Sequence, residues 1–259
     1  MRFFSYVMAM VLWASMPAVG QSNLRTLDAG TLAQHYGAVG RLDLGQGGFC
    51  TGALIQADVV LTAAHCLFDR ATARRIPVDE MAFHAGLAGG RALATRAVRA
   101  TFMHPAYQFD QSNRLTRVGS DLALVRLSAP IEGPGLAPFR TQLRVDPGTH
   151  VEVVSYALGR SNAPVVEDGC GVLTRDAAVL VLSCTVEFGA SGAPIFQRFG
   201  DEVRIVSVIS AKAAWKDRSV ALGAVMDGGL AALVDAYRSD LGRTDLGDLR
   251  AIETVSARR

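Results

Sequence analysis

The chain has 259 residues, of which 50% are hydrophobic and 19% are charged. This composition excludes a disordered chain and is sufficient for one large domain or two small ones. The formal net charge is only +2, from 26 basic and 24 acidic residues without a block of like charge. We therefore do not expect nucleic acid to be a partner, because phosphate contacts usually require a larger basic excess.

The first 20 residues predict a secretory signal peptide. Arg2 is its positive start, an apolar run covers residues 3–16, and small residues at 18–20 precede a cleavage site. A membrane anchor is the alternative, but the run is shorter than the ~20 residues that a spanning helix needs. We therefore expect a secreted or periplasmic protein with no stable membrane insertion after the signal is removed.

The middle of the chain predicts an all-β architecture. A polar lead over residues 21–36 is either a pro-segment or a strap across the surface. Short apolar runs, interrupted by Gly, Pro, Asn and Asp, then fill residues 37–130 and again residues 149–228. The segment between them, 131–148, is rich in Pro and Gly and resembles a linker. Two blocks of short strands favour a double barrel or a sandwich.

The last part of the chain has a different pattern. Apolar residues at helical spacing predict a helix over 229–242, with Asp227 or Gly228 as its cap and Gly242 at its end. The polar tail over 243–259 is expected to be loosely held.

The sequence contains four cysteines, at positions 50, 66, 170 and 184. An even number in an exported protein favours two disulfides, for which three pairings are possible. We favour the pairing of nearest neighbours, Cys50–Cys66 and Cys170–Cys184. The chain has no Cys-x-x-Cys pair, which disfavours a zinc site of that kind. We expect neither a metal nor a cofactor.

Three segments carry side chains suited to nucleophilic catalysis. The first is an apolar strand that ends in small residues and then presents His65. The second places Asp121 at the start of a strongly apolar strand, where a carboxylate can orient a histidine by accepting its N–H. The third holds Ser191 among small residues, so that the backbone N–H groups of Gly189 and Ser191 can form an oxyanion hole.

These segments resemble the motifs of the trypsin/chymotrypsin-like serine peptidase family. Residues 62–66, Thr-Ala-Ala-His-Cys, match the His motif of the family in full, and residues 121–127 are similar to its Asp motif. The segment 189–194 matches the Ser motif, Gly-Asp-Ser-Gly-Gly-Pro, at Gly189, Ser191, Gly192 and Pro194. Each segment alone has an ordinary explanation as a turn, a cap or a packed loop. Their joint occurrence in the order His, Asp, Ser distinguishes this family from α/β-hydrolases and subtilisins.

The resemblance implies two six-stranded antiparallel β-barrels with a C-terminal helix, and an active site in the cleft between the barrels. It implies a serine endopeptidase that forms an acyl-enzyme: Ser191 attacks the scissile carbonyl, His65 transfers the proton and Asp121 orients His65. The substrate would be a protein or peptide, and we expect a monomer.

Several positions depart from the common family pattern. Ala190 replaces the Asp that, in many animal members, pairs with a newly released N-terminal amine, so that activation switch cannot operate here. In this respect the chain is similar to bacterial members, including the glutamyl endopeptidase branch. That branch uses a pocket histidine, however, and this sequence has no histidine after His150. We therefore do not carry over a glutamate specificity.

The substrate pocket is harder to assign than the triad. In the family the pocket floor lies about six residues before the nucleophile, so the resemblance implies Thr185 at the floor and Ser210 and Lys212 in the pocket wall. Thr185 provides no counter-charge for an Arg or Lys substrate. Lys212 occupies a position where Gly is common, so it either narrows the pocket or attracts an acidic side chain.

Two other functions remain possible on this fold. A catalytically silent relative that binds proteins is one, because the Ser motif and the pocket wall are unusual. An esterase or acyl transferase that uses the same triad is the other, and the rates on matched esters and amides would distinguish it.

Overall fold

The computed structural model describes residues 23–241. The predicted signal peptide over 1–20 and the predicted tail over 243–259 lie outside the described residues. Within the described range the chain is mostly β, as predicted, with thirteen strands and few helical segments. None of the helices between residues 23 and 241 is long and apolar enough to cross a bilayer.

Six strands form a closed antiparallel barrel in the first half of the chain. Its apolar runs alternate with tight turns, and two neighbouring strands, Val59–Thr62 and Ala123–Leu127, are almost completely buried. The strands close in the order β2-β3-β4-β7-β6-β5. Their bounds are β2 (Val39–Asp43), β3 (Phe49–Gln56), β4 (Val59–Thr62), β5 (Ala82–Ala85), β6 (Ala94–Met103) and β7 (Ala123–Leu127).

The other strands form a seven-stranded sheet in the order β1-β9-β10-β13-β12-β11-β8. Because β8 also pairs with β9, six of these strands form a closed cycle, and β1 is an additional strand outside it. The bounds are β1 (Asn23–Thr26), β8 (His150–Ala157), β9 (Arg160–Asp176), β10 (Val179–Leu182), β11 (Pro194–Phe199), β12 (Glu202–Trp215) and β13 (Arg218–Val225).

The additional strand comes from the polar lead, for which the sequence predicted no strand. Strand β9 has 17 residues, and β10 pairs only with its C-terminal part. β1 pairs with residues 165–168 of β9 and so satisfies backbone groups that would otherwise form an open edge. Leu27, Leu32 and Tyr36, which follow β1, are buried. The lead is thus packed into the fold.

The helices are short except for the last one. A helical turn α1 (Ala29–Thr31) is continued by a π-helical turn over Leu32–Tyr36, and α2 (Arg114–Gly119) precedes β7. The predicted C-terminal helix is present as α3 (Gly229–Leu241). The Tyr237 ring of α3 packs edge-on against Phe102 of β6, with ring centroids 4.8 Å apart, so that the helix covers the first barrel.

Candidate active site

His65 lies in a short 3-10 turn over Ala64–Leu67, directly after the buried strand β4. The next residue, Cys66, forms a disulfide with Cys50 of β3. This bond attaches the turn to the neighbouring strand, so that the backbone of His65 has little freedom to move.

Asp121 is positioned by the pairing of β4 with β7. Thr62 of β4 is in register with Ala123 of β7, which brings the residue before β7 close to the turn after β4. The Asp121 carboxylate is nearly enclosed, with the residue 2% exposed. Its Oδ1 accepts the backbone N–H of His65 at 2.8 Å, and its Oδ2 lies 2.6 Å from His65 Nδ1. The carboxylate therefore determines both the backbone position and the ring orientation of His65.

Ser210 is a third member of this polar cluster. Its Oγ donates a hydrogen bond to Asp121 Oδ2 at 2.5 Å. The sequence suggested Ser210 only as a pocket residue. Its contact with Asp121 joins positions 89 residues apart, and no local pattern reveals such a contact.

The loop that carries Ser191 is hydrogen-bonded to strand β3 of the first barrel. Its carbonyl accepts the N–H of Thr51 in β3 at 2.8 Å, and the Thr51 hydroxyl donates to the Gly189 carbonyl at 3.0 Å. Gly192 has a φ of +77°, and a Cβ there would lie 2.1 Å from Thr62 Oγ1. Only glycine permits this close approach between the Ser191 loop and the first barrel.

The Ser191 loop also presents two free backbone donors. Among the described residues, neither the N–H of Gly189 nor that of Ser191 has a protein acceptor, whereas the N–H of Ala190 between them donates to the Glu187 carbonyl at 3.1 Å. The two free N–H groups are those that the sequence suggested for an oxyanion hole.

Two cavities lie at this site. One, of about 350 Å³, is lined by Ser191, Ser210 and Lys212. The other, of about 720 Å³, is lined by His65 and by the Cys50–Cys66 pair. Both cavities share three lining residues, which are Arg70, Leu158 and Phe188.

Thr185 is not among the residues that line the Ser191 cavity. It lines a separate cavity of about 50 Å³, together with the buried Glu167 of β9. Both the N–H and the hydroxyl of Thr185 donate to Glu167 Oε1, at 2.7 and 3.1 Å. The assignment of Thr185 to the pocket floor stays a prediction from the family resemblance.

Glu187 is an acidic residue that also lines the Ser191 cavity. Its Oε2 forms an ion pair with the guanidinium of Arg160 at 2.7 Å. Its charge is therefore compensated by its neighbour in the second sheet.

The cysteines form two disulfides, Cys50–Cys66 and Cys170–Cys184. Two groups of potential metal ligands occur among the described residues, and each consists of one disulfide and one further side chain, His65 or Glu167. A disulfide sulfur is not a thiolate, so these groups do not have the donors of a zinc site.

Comparisons with known proteins give a family match, a relative and a solved structure of similar fold. A family model described as a trypsin-like peptidase domain matches residues 50–203, a range that includes His65, Asp121 and Ser191. A trypsin-like protease of Streptomyces glaucescens is 37% identical over 87 residues, which cover 34% of this chain and 28% of that protein. The solved structure of a Glu endopeptidase in complex with MPD has a TM-score of 0.69 at 15% identity. It covers 86% of this chain and 100% of that chain, and it shows a shared fold.

Proposed function

Because this chain belongs to the trypsin-like peptidase family, we propose that it is a serine endopeptidase acting on proteins or peptides through His65, Asp121 and Ser191. The single observation that carries this assignment is the 2.6 Å contact between His65 Nδ1 and Asp121 Oδ2. This contact leaves the other ring nitrogen, Nε2, available to accept a proton from the nucleophile.

The reaction proceeds through an acyl-enzyme. Ser191 Oγ attacks the scissile carbonyl while His65 takes its proton, and the protonated ring then donates this proton to the leaving amine. The buried Asp121 carboxylate stabilises the imidazolium that forms in between. Water activated by His65 releases the acyl group in a second cycle of the same steps.

The oxyanion of each tetrahedral intermediate is held by the N–H groups of Gly189 and Ser191. This role is supported by the lack of protein acceptors for these two donors among the described residues. Donors that are already oriented stabilise the developing charge without reorganisation during the reaction.

The same proposal includes the organisation of the mature protein. We assign residues 37–130 to the first barrel, 149–228 to the second and 131–148 to the linker. We retain residues 23–36 in the mature enzyme, because Leu27, Leu32 and Tyr36 are buried. A signal peptide over 1–20 would direct a monomeric enzyme to the periplasm or the medium, where two disulfides are stable.

A fluorophosphonate probe tests for an activated serine. We expect the purified protein to be labelled and the Ser191→Ala variant to remain unlabelled. Ser128, an exposed serine outside both cavities, provides the matched control, and Ser128→Ala should be labelled like the wild type. Labelling that persists in Ser191→Ala would disprove the role of Ser191. A folded, disulfide-bonded protein that is not labelled would indicate a silent, protein-binding relative.

Matched peptide amides and esters distinguish an endopeptidase from an esterase. We expect the wild type to cleave internal bonds of unstructured peptides, and Ser191→Ala to cleave neither substrate. Hydrolysis of esters alone by a protein that the probe labels would contradict the endopeptidase assignment and support the esterase.

A further inference from the structure

The cavity beside His65 lies between two loops of the first barrel. One is the hairpin loop over 44–48, between β2 and β3, and the other follows the His65 turn over 68–77. Leu158 and Phe188 contribute the second-barrel side and also line the Ser191 cavity. The two cavities therefore meet at these side chains.

The chemistry of the proposed function assigns each half of the substrate to one cavity. The acyl half stays bonded to Ser191, beside β12. Strand β11 pairs with residues 202–208 of β12, so residues 210–215 have no partner on that edge among the described strands and can pair with an extended peptide. The leaving amine takes its proton from His65, so the leaving half extends into the His65 cavity.

Arg70 lies where the two cavities meet, and its charge is not compensated. It is exposed and forms no ion pair with any described carboxylate. Its guanidinium carbon lies 5.6 Å from the centre of the Phe188 ring. The adjacent Asp69 is engaged in its own turn, where hydrogen bonds from Thr72 hold the pKa of its carboxyl below the usual value.

Two exposed apolar side chains line the cavities together with Arg70. Phe188 is 68% exposed and Leu158 is 62% exposed, and these are the two most exposed large apolar side chains among the described residues. Their backbones are joined by a hydrogen bond from Leu158 N–H to the Phe188 carbonyl at 2.8 Å. Both residues line both cavities, and the Arg70 guanidinium lies beside the Phe188 ring.

Other charged residues line the His65 cavity, and the exposed Arg74 among them does not line the Ser191 cavity. The Arg75 guanidinium donates to the Thr101 hydroxyl at 2.6 Å. Glu80 lies against the β2–β3 hairpin, where a Cβ on Gly45 would come within 2.7 Å of Glu80 Oε2. Neither residue lines the Ser191 cavity, so Arg70 is the charged residue common to both cavities.

We propose that Arg70, Phe188 and Leu158 form a subsite for an acidic side chain in the leaving half of the substrate, with glutamate preferred over glutamine. The methylene groups pack on Phe188 and Leu158, while the carboxylate pairs with the guanidinium. This subsite rests on the endopeptidase function proposed above. Since the ion pair is exposed, the expected preference is about two- to five-fold.

Binding of the leaving half can be measured without turnover. Fluorescent peptides with a free N-terminus, carrying either Glu or Gln at one of the first three positions, are titrated into the Ser191→Ala variant by anisotropy. We expect the best Glu peptide to bind about two- to five-fold more tightly than its Gln counterpart. Adding Arg70→Gln, or raising the salt to ~1 M, should abolish the difference because salt screens exposed charges.

Arg91 provides the matched control, because it is an exposed arginine that lines neither cavity. The Glu preference should persist in Ser191→Ala with Arg91→Gln. Equal binding of Glu and Gln peptides, or a preference that survives Arg70→Gln, would overturn the subsite. If the wild type in that case is labelled by the fluorophosphonate probe and cleaves internal bonds of peptides, the endopeptidase function stands and only the subsite is wrong. A Glu preference that depends on Arg70, in a protein that cleaves no peptide, would support the subsite and contradict the endopeptidase function.

Discussion

Asp121 holds His65 by two different atoms. One carboxylate oxygen accepts the backbone N–H at 2.8 Å, and the other lies 2.6 Å from the ring nitrogen Nδ1. Ser210 adds a further hydrogen bond to the second oxygen. Because the carboxylate is buried, water weakens these contacts very little. The orientation of the imidazole therefore depends on one side chain.

Replacing Asp121 by Asn tests this dependence. The amide has nearly the same shape, but its NH₂ group cannot accept the ring N–H and favours the wrong tautomer. We expect kcat for a peptide substrate to fall by about 10³–10⁴-fold, with the fold retained in circular dichroism. Asp110→Asn changes an exposed carboxylate and should leave kcat unchanged. A kcat in Asp121→Asn within a few-fold of the wild type would contradict the proposed role.

Gly192 is a position at which a single added carbon atom, the Cβ, would clash with its neighbours. Its φ is +77°, and an added Cβ would lie 2.1 Å from Thr62 Oγ1 and 2.3 Å from the Thr51 carbonyl oxygen. Gly200 has a similar φ of +61° but open space around it. The two positions therefore separate the cost of a left-handed backbone from the cost of a steric clash.

We expect Gly192→Ala to lower the free energy of unfolding by at least about 3 kcal/mol, measured by urea denaturation. Gly200→Ala should cost about 1–2 kcal/mol, because only the backbone conformation is unfavourable there. Equal losses at both positions would show that the Ser191 loop can move away from Thr62 at little cost.

At the scale of elements, β1 and the residues after it hold the polar lead against the second sheet. β1 pairs with β9, and Leu27 is 1% exposed. Tyr36 ends the lead, and its hydroxyl donates to Glu152 of β8 at 2.7 Å. Each of these contacts crosses more than a hundred residues of sequence, so no local pattern could predict them.

Leu27→Ala tests whether the lead stabilises the protein. We expect a loss of about 2–4 kcal/mol in the free energy of unfolding, since the variant leaves a cavity in a buried position. Leu24 in β1 is 42% exposed, and Leu24→Ala should cost less than about 1 kcal/mol. An unchanged stability in Leu27→Ala would indicate that the lead is dispensable, as a removed pro-segment would be.

Elements with a local sequence pattern could be predicted, whereas β1 could not. The C-terminal helix was predicted over 229–242 and is described over Gly229–Leu241, because its apolar residues recur at helical spacing. The strands of both barrels follow from short apolar runs between turn residues. β1 has neither signal, since its stability comes from the open edge of β9.

At the scale of the whole molecule, the stability should depend on pH through a histidine outside the triad. Burial lowers the pKa of His104 below its usual value of 6.5, and its Nδ1 accepts the N–H of Ala106 at 3.1 Å. The unfolded chain therefore binds a proton more readily than the folded protein does. Stability from the neutral ring is complete above about pH 6.5 and is lost as the pH falls below that value.

We expect the free energy of unfolding of the wild type to decrease between pH 7 and pH 5. The decrease should be smaller in His104→Gln, because glutamine does not titrate. Urea unfolding at several pH values measures both slopes, and His150→Gln, at an exposed position, should keep the slope of the wild type. Identical slopes in the wild type and His104→Gln would contradict the assignment.

The sequence by itself determined the family motifs, the mostly β class, the C-terminal helix and the three residues proposed as the triad. These features depend on residue types at short spacing, which a single chain displays directly. Only the tertiary structure decided the additional strand β1, the contact of Ser210 with Asp121 and the position of Thr185 beside Glu167. Each of these depends on which distant backbone or side chain comes within hydrogen-bonding distance, and that is determined by strand pairing and burial across the whole fold.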